Sequence, residues 1–98
     1  MLTIDVTPEQ MRTMVRISHN DLDEELENLK GAFLLDLEIC GITQIPPEDP
    51  LSLAALRLYL RWQMDYCNDS DRYKSAYDAT KIAMSLAREY RGDSNEKR

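Results

Sequence analysis

The sequence predicts an all-α protein, a small bundle of one short and three longer helices, and three observations predict it. Apolar residues recur at three- and four-residue spacing through three long stretches. Helix-start signatures, an N-cap side chain followed by proline, stand at Thr7-Pro8 and Asp49-Pro50. No two alternating apolar runs face each other across a turn, so no strand pair is expected.

The 98 residues are enough for one domain with a modest core of its own. Residues 1–91 read as that helical domain. Residues 92–98 open on Gly92 and continue DSNEKR, without an apolar side chain, and read as a mobile tail. No apolar run approaches the length of a membrane span, and the amino terminus lacks a basic-then-apolar leader, so the expectation is a cytoplasmic product that does not enter a membrane.

Taken in order, Leu2, Ile4 and Val6 alternate in an extended arm. Thr7 to Gln10 reads as a capping box, and Val6 with Met11 as the hydrophobic staple beside it. The first helix is short, about Pro8–Val15, and Arg16 to Asn20 form a turn. The second helix starts near Asn20 or Asp21 and runs to Cys40, with Gly41 as a left-handed cap. Its core stripe is Leu22, Leu26, Leu29, Phe33, Leu37 and Cys40. Acids crowd its first turns, where they favour the helix dipole. Gly31 inside it costs about 1 kcal/mol relative to alanine, which suggests close packing against another helix.

A stiff connector, TQIPPE, leads into the stretch Asp49–Cys67, the strongest helix in the chain. Leu53, Leu56, Leu60, Met64 and Cys67 make one apolar stripe. Leu51, Ala55, Leu58, Tyr59, Trp62 and Tyr66 make a second. Only Arg57, Arg61 and Asp65 separate them. A surface helix needs one apolar stripe of about 100°, so this one is expected at the centre of the bundle or against a partner. Asn68 to Asp71 break it. The last helix is expected over Arg72–Arg91, with Ala76, Ala79, Ala83, Leu86 and Tyr90 inward and Lys74, Asp78, Lys81, Ser85 and Arg88 wet. Tyr73, Tyr77, Thr80 and Met84 fall on an edge between the two.

Chemistry is sparse. No glycine loop for phosphate, metal-ligand spacing or nucleophile with a base partner can be assembled, so neither catalysis, metal nor cofactor is expected. His19 reads as a polar turn residue, and Cys40 and Cys67 as free buried thiols. The net charge of −6 argues against non-specific nucleic-acid binding. Its distribution is uneven: residues 1–50 carry −8 and residues 51–98 carry +2. From these features alone the chain is a helical interaction module.

The order of segments resembles the small head–tail connector proteins of tailed bacteriophages. Three stretches carry the likeness: Met14-Val15-Arg16-Ile17 followed by Asn20-Asp21-Leu22-Asp23-Glu24-Glu25-Leu26; Cys40-Gly41-Ile42; and Asp49-Pro50-Leu51 leading to Tyr59, Arg61-Trp62 and Tyr66. The close Glu89-Tyr90-Arg91 fits as well, so the likeness spans residues 7–91. Where members often carry a proline-containing loop before the last helix, Asn68–Arg72 is short and proline-free.

The resemblance implies a structural virion protein at the head–tail interface, made in the host cytoplasm and without catalysis. It implies a ring of about a dozen copies, with the portal protein on one side and the next connector or stopper protein on the other. DNA would pass through the ring without specific contacts. Together with the charge split, a head-to-tail ring implies that Asp23, Glu24 and Glu27 of one subunit approach Arg57, Arg61 and Arg88 of the next, with Trp62 in the core or at that contact. Leu26, Leu29, Phe33, Leu37, Leu53, Leu56 and Leu60 are the expected core. The alternative is a dimeric DNA-packaging or regulatory factor that binds a protein or DNA partner.

Overall fold

A computed structural model describes residues 2–46, 48–64 and 68–91, with the backbone alone for Arg88. Within them the chain forms five helices and no strand: α1 (Pro8–Met14), α2 (Asp23–Ile39), α3 (Pro50–Gln63), α4 (Ser70–Leu86) and α5 (Arg88–Arg91). Helix α3 packs against α1, α2 and α4, the central place its apolar circumference predicts.

Local chemistry sets the helix ends. The Thr7 hydroxyl accepts from the Gln10 amide, and the Gln10 side chain accepts from the Thr7 amide, while Val6 and Met11 are both buried beside them. Asp49 caps α3 by accepting from the Ser52 amide at 2.9 Å, with Pro50 at the first helical position. At the end of α2, Gly41 takes φ +91°, and the Gly41 and Ile42 amides donate back to Glu38 and Leu37. That closure buries Ile42 completely beside Leu37. Arg16, Glu48 and Asn68, which precede α2, α3 and α4, are also left-handed.

Leu26, Phe33 and Leu37 of α2, Leu56 and Leu60 of α3, and Met11, Ile42, Tyr77 and Met84 are fully buried. Leu29 and Leu53, expected in that core, are only half-buried and lie along its edge. Each sits at the margin of its helix's inward arc, where solvent still reaches. Leu58 is likewise half-buried, and Leu51 is exposed because it sits in the first turn of α3 on the outward side.

Several boundaries and faces differ from expectation. Helix α2 starts at Asp23, after Leu22 and without a side-chain cap, because the preceding residues are taken up by a turn. Helix α3 ends at Gln63 with Met64 as its cap, and Asp65, Tyr66 and Cys67 lie outside the described residues. The last helix is not continuous. Ala87 is extended, with ψ 136°, and separates α4 from α5. On an unbroken helix Tyr90 would stand about 140° around from Tyr77; the break turns it inward, where it is buried.

The inward face of α4 is also corrected. Tyr73, Tyr77 and Met84 are buried, whereas Ala79, Ala83 and Leu86 are exposed. The buried face lies about 120° around the helix from the alanine face. An aromatic ring removes far more area from water than a methyl group, provided its hydroxyl finds a partner. Gly31 is exposed, and a Cβ placed on it would meet nothing within 4 Å, so close packing against another helix of the chain does not explain it. Cys40 is exposed and not a buried thiol, because the turn after α2 carries it off the inward stripe. The expected tail at 92–98 lies outside the described residues.

Candidate interaction surface

Helices α2 and α4 flank a groove of about 380 Å³ floored by Tyr59 and Trp62 of α3. Its polar centre is one carboxylate. Asp36 accepts from the Tyr77 hydroxyl at 2.6 Å and from the Lys81 ammonium at 2.9 Å. Burial raises the Asp36 carboxyl, but the two hydrogen bonds and the Lys81 charge outweigh it and hold it below the usual carboxylate range. Tyr77 is pushed far above an ordinary phenol, first by burial and then by its bond to Asp36. Burial opposes the charge on Lys81, yet Asp36 wins and raises it. Lys81 was expected on the wet face; the carboxylate draws it across the groove, where it is mostly covered.

The aromatic floor is continuous. Tyr77 packs edge-on to Tyr59 at 5.2 Å between centroids and touches Phe33 and Trp62. Trp62 is half-buried, edge-on to Tyr59, with the Lys74 ammonium 5.5 Å above it. Trp62 is therefore a partner of the core and a wall of the groove at once.

A second tyrosine works at the other end of α3. Tyr90 donates to Asp49 at 2.6 Å, on the oxygen that also accepts from the fully buried Ser52 hydroxyl at 2.7 Å. The Tyr90 carbonyl accepts from the Thr43 and Gln44 amides, and the Gln44 side chain donates to the Glu89 carbonyl. Burial raises the Asp49 carboxyl, but the donors from Tyr90 and Ser52 bring it below its ordinary value. These bonds fasten the connector before α3 to α5. Sequence reasoning missed both tyrosine–aspartate pairs, because helical spacing carries no signal for a partner 41 residues away.

The charged residues expected at a subunit contact are placed variously. Asp23 is held within the chain by Arg12 at 2.9 Å. Arg61 donates to the Met14 carbonyl at 2.9 Å and lies 5.8 Å from the Tyr73 ring, tying α3 to the end of α1 and to α4. Glu27 pairs with Lys30 along α2 and remains exposed. Glu24 and Arg57 are exposed. The side chain of Arg88 lies outside the described residues. His19 is exposed in its turn, accepting from the Asp21 amide at 3.3 Å.

Large apolar side chains are the least expected surface feature. Leu35 and Ile39 on α2 are 54% and 77% exposed, and Ile82 and Leu86 on α4 are 58% and 73% exposed. Among the described residues no cluster of His, Cys, Asp or Glu could hold a metal ion, and no helix is long and apolar enough to cross a membrane. No family model, curated protein or solved structure matches the chain.

Proposed function

We propose that this chain is a structural subunit of the head–tail connector of a tailed phage or prophage, assembling into a ring beneath the portal around the DNA exit channel. The observation that carries the reading is the order of segments over residues 7–91, from the Met14-Val15-Arg16-Ile17 turn through Cys40-Gly41-Ile42 to Asp49-Pro50-Leu51. The exposed apolar side chains of α2 and α4 support it, since a small subunit that works alone gains nothing from leaving four of them in water. The acidic balance supports a channel through which DNA slides without sticking. In this reading the role is mechanical: the chain binds its own copies, the portal and the next tail-side protein, and carries out no reaction.

Negative-stain imaging of the purified protein, alone and mixed with its cognate portal, tests the reading. Rings of about a dozen copies docked on the portal are the expected result. Dimers in every condition, together with sequence-specific duplex binding, would instead identify a packaging or regulatory factor.

A further inference from the structure

Helices α2 and α4 present two solvent-exposed strips that pair at one constant offset, the α2 strip also forming a wall of the groove over Tyr59 and Trp62. On α2 the strip runs through Leu35 and Ile39, and on α4 through Ile82 and Leu86, each pair four residues apart. Leu35 and Ile82 differ by 47 in number, as do Ile39 and Leu86. The same offset sets Ala32 against Ala79, Asn28 against Ser75 and Glu25 against Arg72. Every one of these side chains is exposed in the subunit. Both strips step by three and four residues alternately, the spacing of a coiled-coil seam, in which parallel partners meet like position to like position.

We propose that α2 of one copy packs in parallel along α4 of a second copy, with Leu35 and Ile39 seated against Ile82 and Leu86. The inference rests on the reading of this chain as a self-assembling subunit, and it names the surfaces that meet. Three features select a second copy as the occupant. Apolar meets apolar at one end of the seam. Small residues meet in the middle, where Gly31 beside Ala32 adds no bulk and lets two helix backbones approach. At the far end an acid meets a base: Arg72, held by Asp69 at 3.0 Å and still largely exposed, stands opposite Glu25.

The parallel sense follows from the same pattern. An antiparallel arrangement that kept Leu35 and Ile39 on Leu86 and Ile82 would leave the first half of each helix without a partner. Inside the subunit α2 and α4 already run the same way, since Phe33 meets Tyr77 and Asp36 meets Lys81, both advancing together. Neighbours related by rotation about an axis along the helices preserve that sense.

Two variants test the pairing. Leu35→Glu with Ile39→Glu spoils the α2 strip, and Ile82→Glu with Leu86→Glu spoils the α4 strip. All four positions are exposed, so each variant should keep the wild-type melting profile in circular dichroism. In light scattering each variant alone should need more than about ten times the wild-type concentration to associate. An equal mixture should recover association as dimers, because each partner retains the strip the other lacks. A variant that associates like wild type on its own, a mixture that stays monomeric, or a wild-type chain that is monomeric even at about 1 mM overturns the pairing.

A second measurement does not depend on the variants folding. A benzophenone photo-crosslinker at Ser75, in a mixture of heavy-nitrogen-labelled and unlabelled chains, should join α4 of one isotope to α2 of the other. Links between isotopes that run from α4 to α4 or to α1 contradict the proposal. If the pairing holds and the product never docks on a portal, the connector reading fails while the pairing stands.

Discussion

Tyr77 and Tyr90 each donate to an aspartate 41 residues earlier in the chain, at the same 2.6 Å, and yet the two pairs do different work. Tyr77 is wholly buried among Phe33, Tyr59 and Trp62, and its aspartate is also bonded by Lys81. Tyr90 belongs to a four-residue helix, and its aspartate caps α3. In the first pair the ring supplies most of the stabilisation and the hydroxyl merely avoids being stranded. In the second the carboxylate does the organising, because one oxygen serves a helix start and a distant hydroxyl together. The same polar contact therefore means apolar burial in one place and backbone fastening in the other.

The largest expected effect breaks that comparison at the ring. Tyr77→Ala should cost about 3–5 kcal/mol in denaturant melts, as for other large aromatic side chains removed from a core. Tyr90→Ala should cost less, about 1–3 kcal/mol. Equal losses would mean that the aromatic cluster is not what separates the two pairs.

Amide replacement of each carboxylate probes the other side. Asparagine caps helices nearly as well as aspartate, so Asp49→Asn should keep the cap and lose only the charge that the Tyr90 and Ser52 donors stabilise, about 1 kcal/mol. Asp36→Asn removes the charge that answers Lys81 and should cost about 1.5–3 kcal/mol. A reversed order would show that Asp49 matters as a charge and not as a cap.

Acid and alkali sharpen the difference further. Asp36 and Asp49 are both lowered in the fold, so the stability they contribute is present above about pH 4 and is lost as pH falls through their folded values. Lys81, Tyr77 and Tyr90 are raised, so their contribution is complete below about pH 10 and is lost as pH rises beyond it. Melting temperature should be flat from about pH 5 to 9 and should fall on both sides. An acid limb unchanged in the variant carrying both Asp36→Asn and Asp49→Asn would refute this assignment.

A further small effect is a control on burial. Lys74 meets Asp78 at 2.8 Å, as close as Lys81 meets Asp36, but both partners are well exposed. Lys74→Ala should cost less than about 1 kcal/mol, including its place over Trp62. A larger loss would mean that distance and not burial ranks these ion pairs.

What was legible in the sequence follows from the range over which its signals act. The capping box at Thr7, the cap at Asp49 and the left-handed Gly41 are decided within four residues, and each forms as read. The stripe of Leu26, Phe33 and Leu37 is long and strongly apolar, and it is buried. Helix α4 was misread because its apolarity is weak all round. Its orientation is fixed by Asp36, which satisfies the Tyr77 hydroxyl from another helix and makes a tyrosine face buriable. The charge cluster at Asp23, Glu24 and Glu27 looked like one surface, yet Arg12 claims Asp23 at 2.9 Å across a turn whose geometry periodicity does not specify. Leu35 and Ile39 lie outside the stripe that spacing picks out on α2, and spacing alone could not say that they form an apolar strip exposed to solvent.

The bond between Tyr90 and Asp49 has a dynamic consequence. The Thr43 and Gln44 amides are held by the Tyr90 carbonyl, and the Ser52 amide by the carboxylate that Tyr90 also grips. Detaching α5 releases the first two at once and loosens the third, so these three sites belong to one opening unit. Native-state hydrogen exchange should give them a common opening free energy, lower than that of the Leu60 amide in the last turns of α3. Tyr90→Phe should speed Thr43, Gln44 and Ser52 together and leave Leu60 unchanged; if Ser52 keeps its original rate, the start of α3 opens independently of α5.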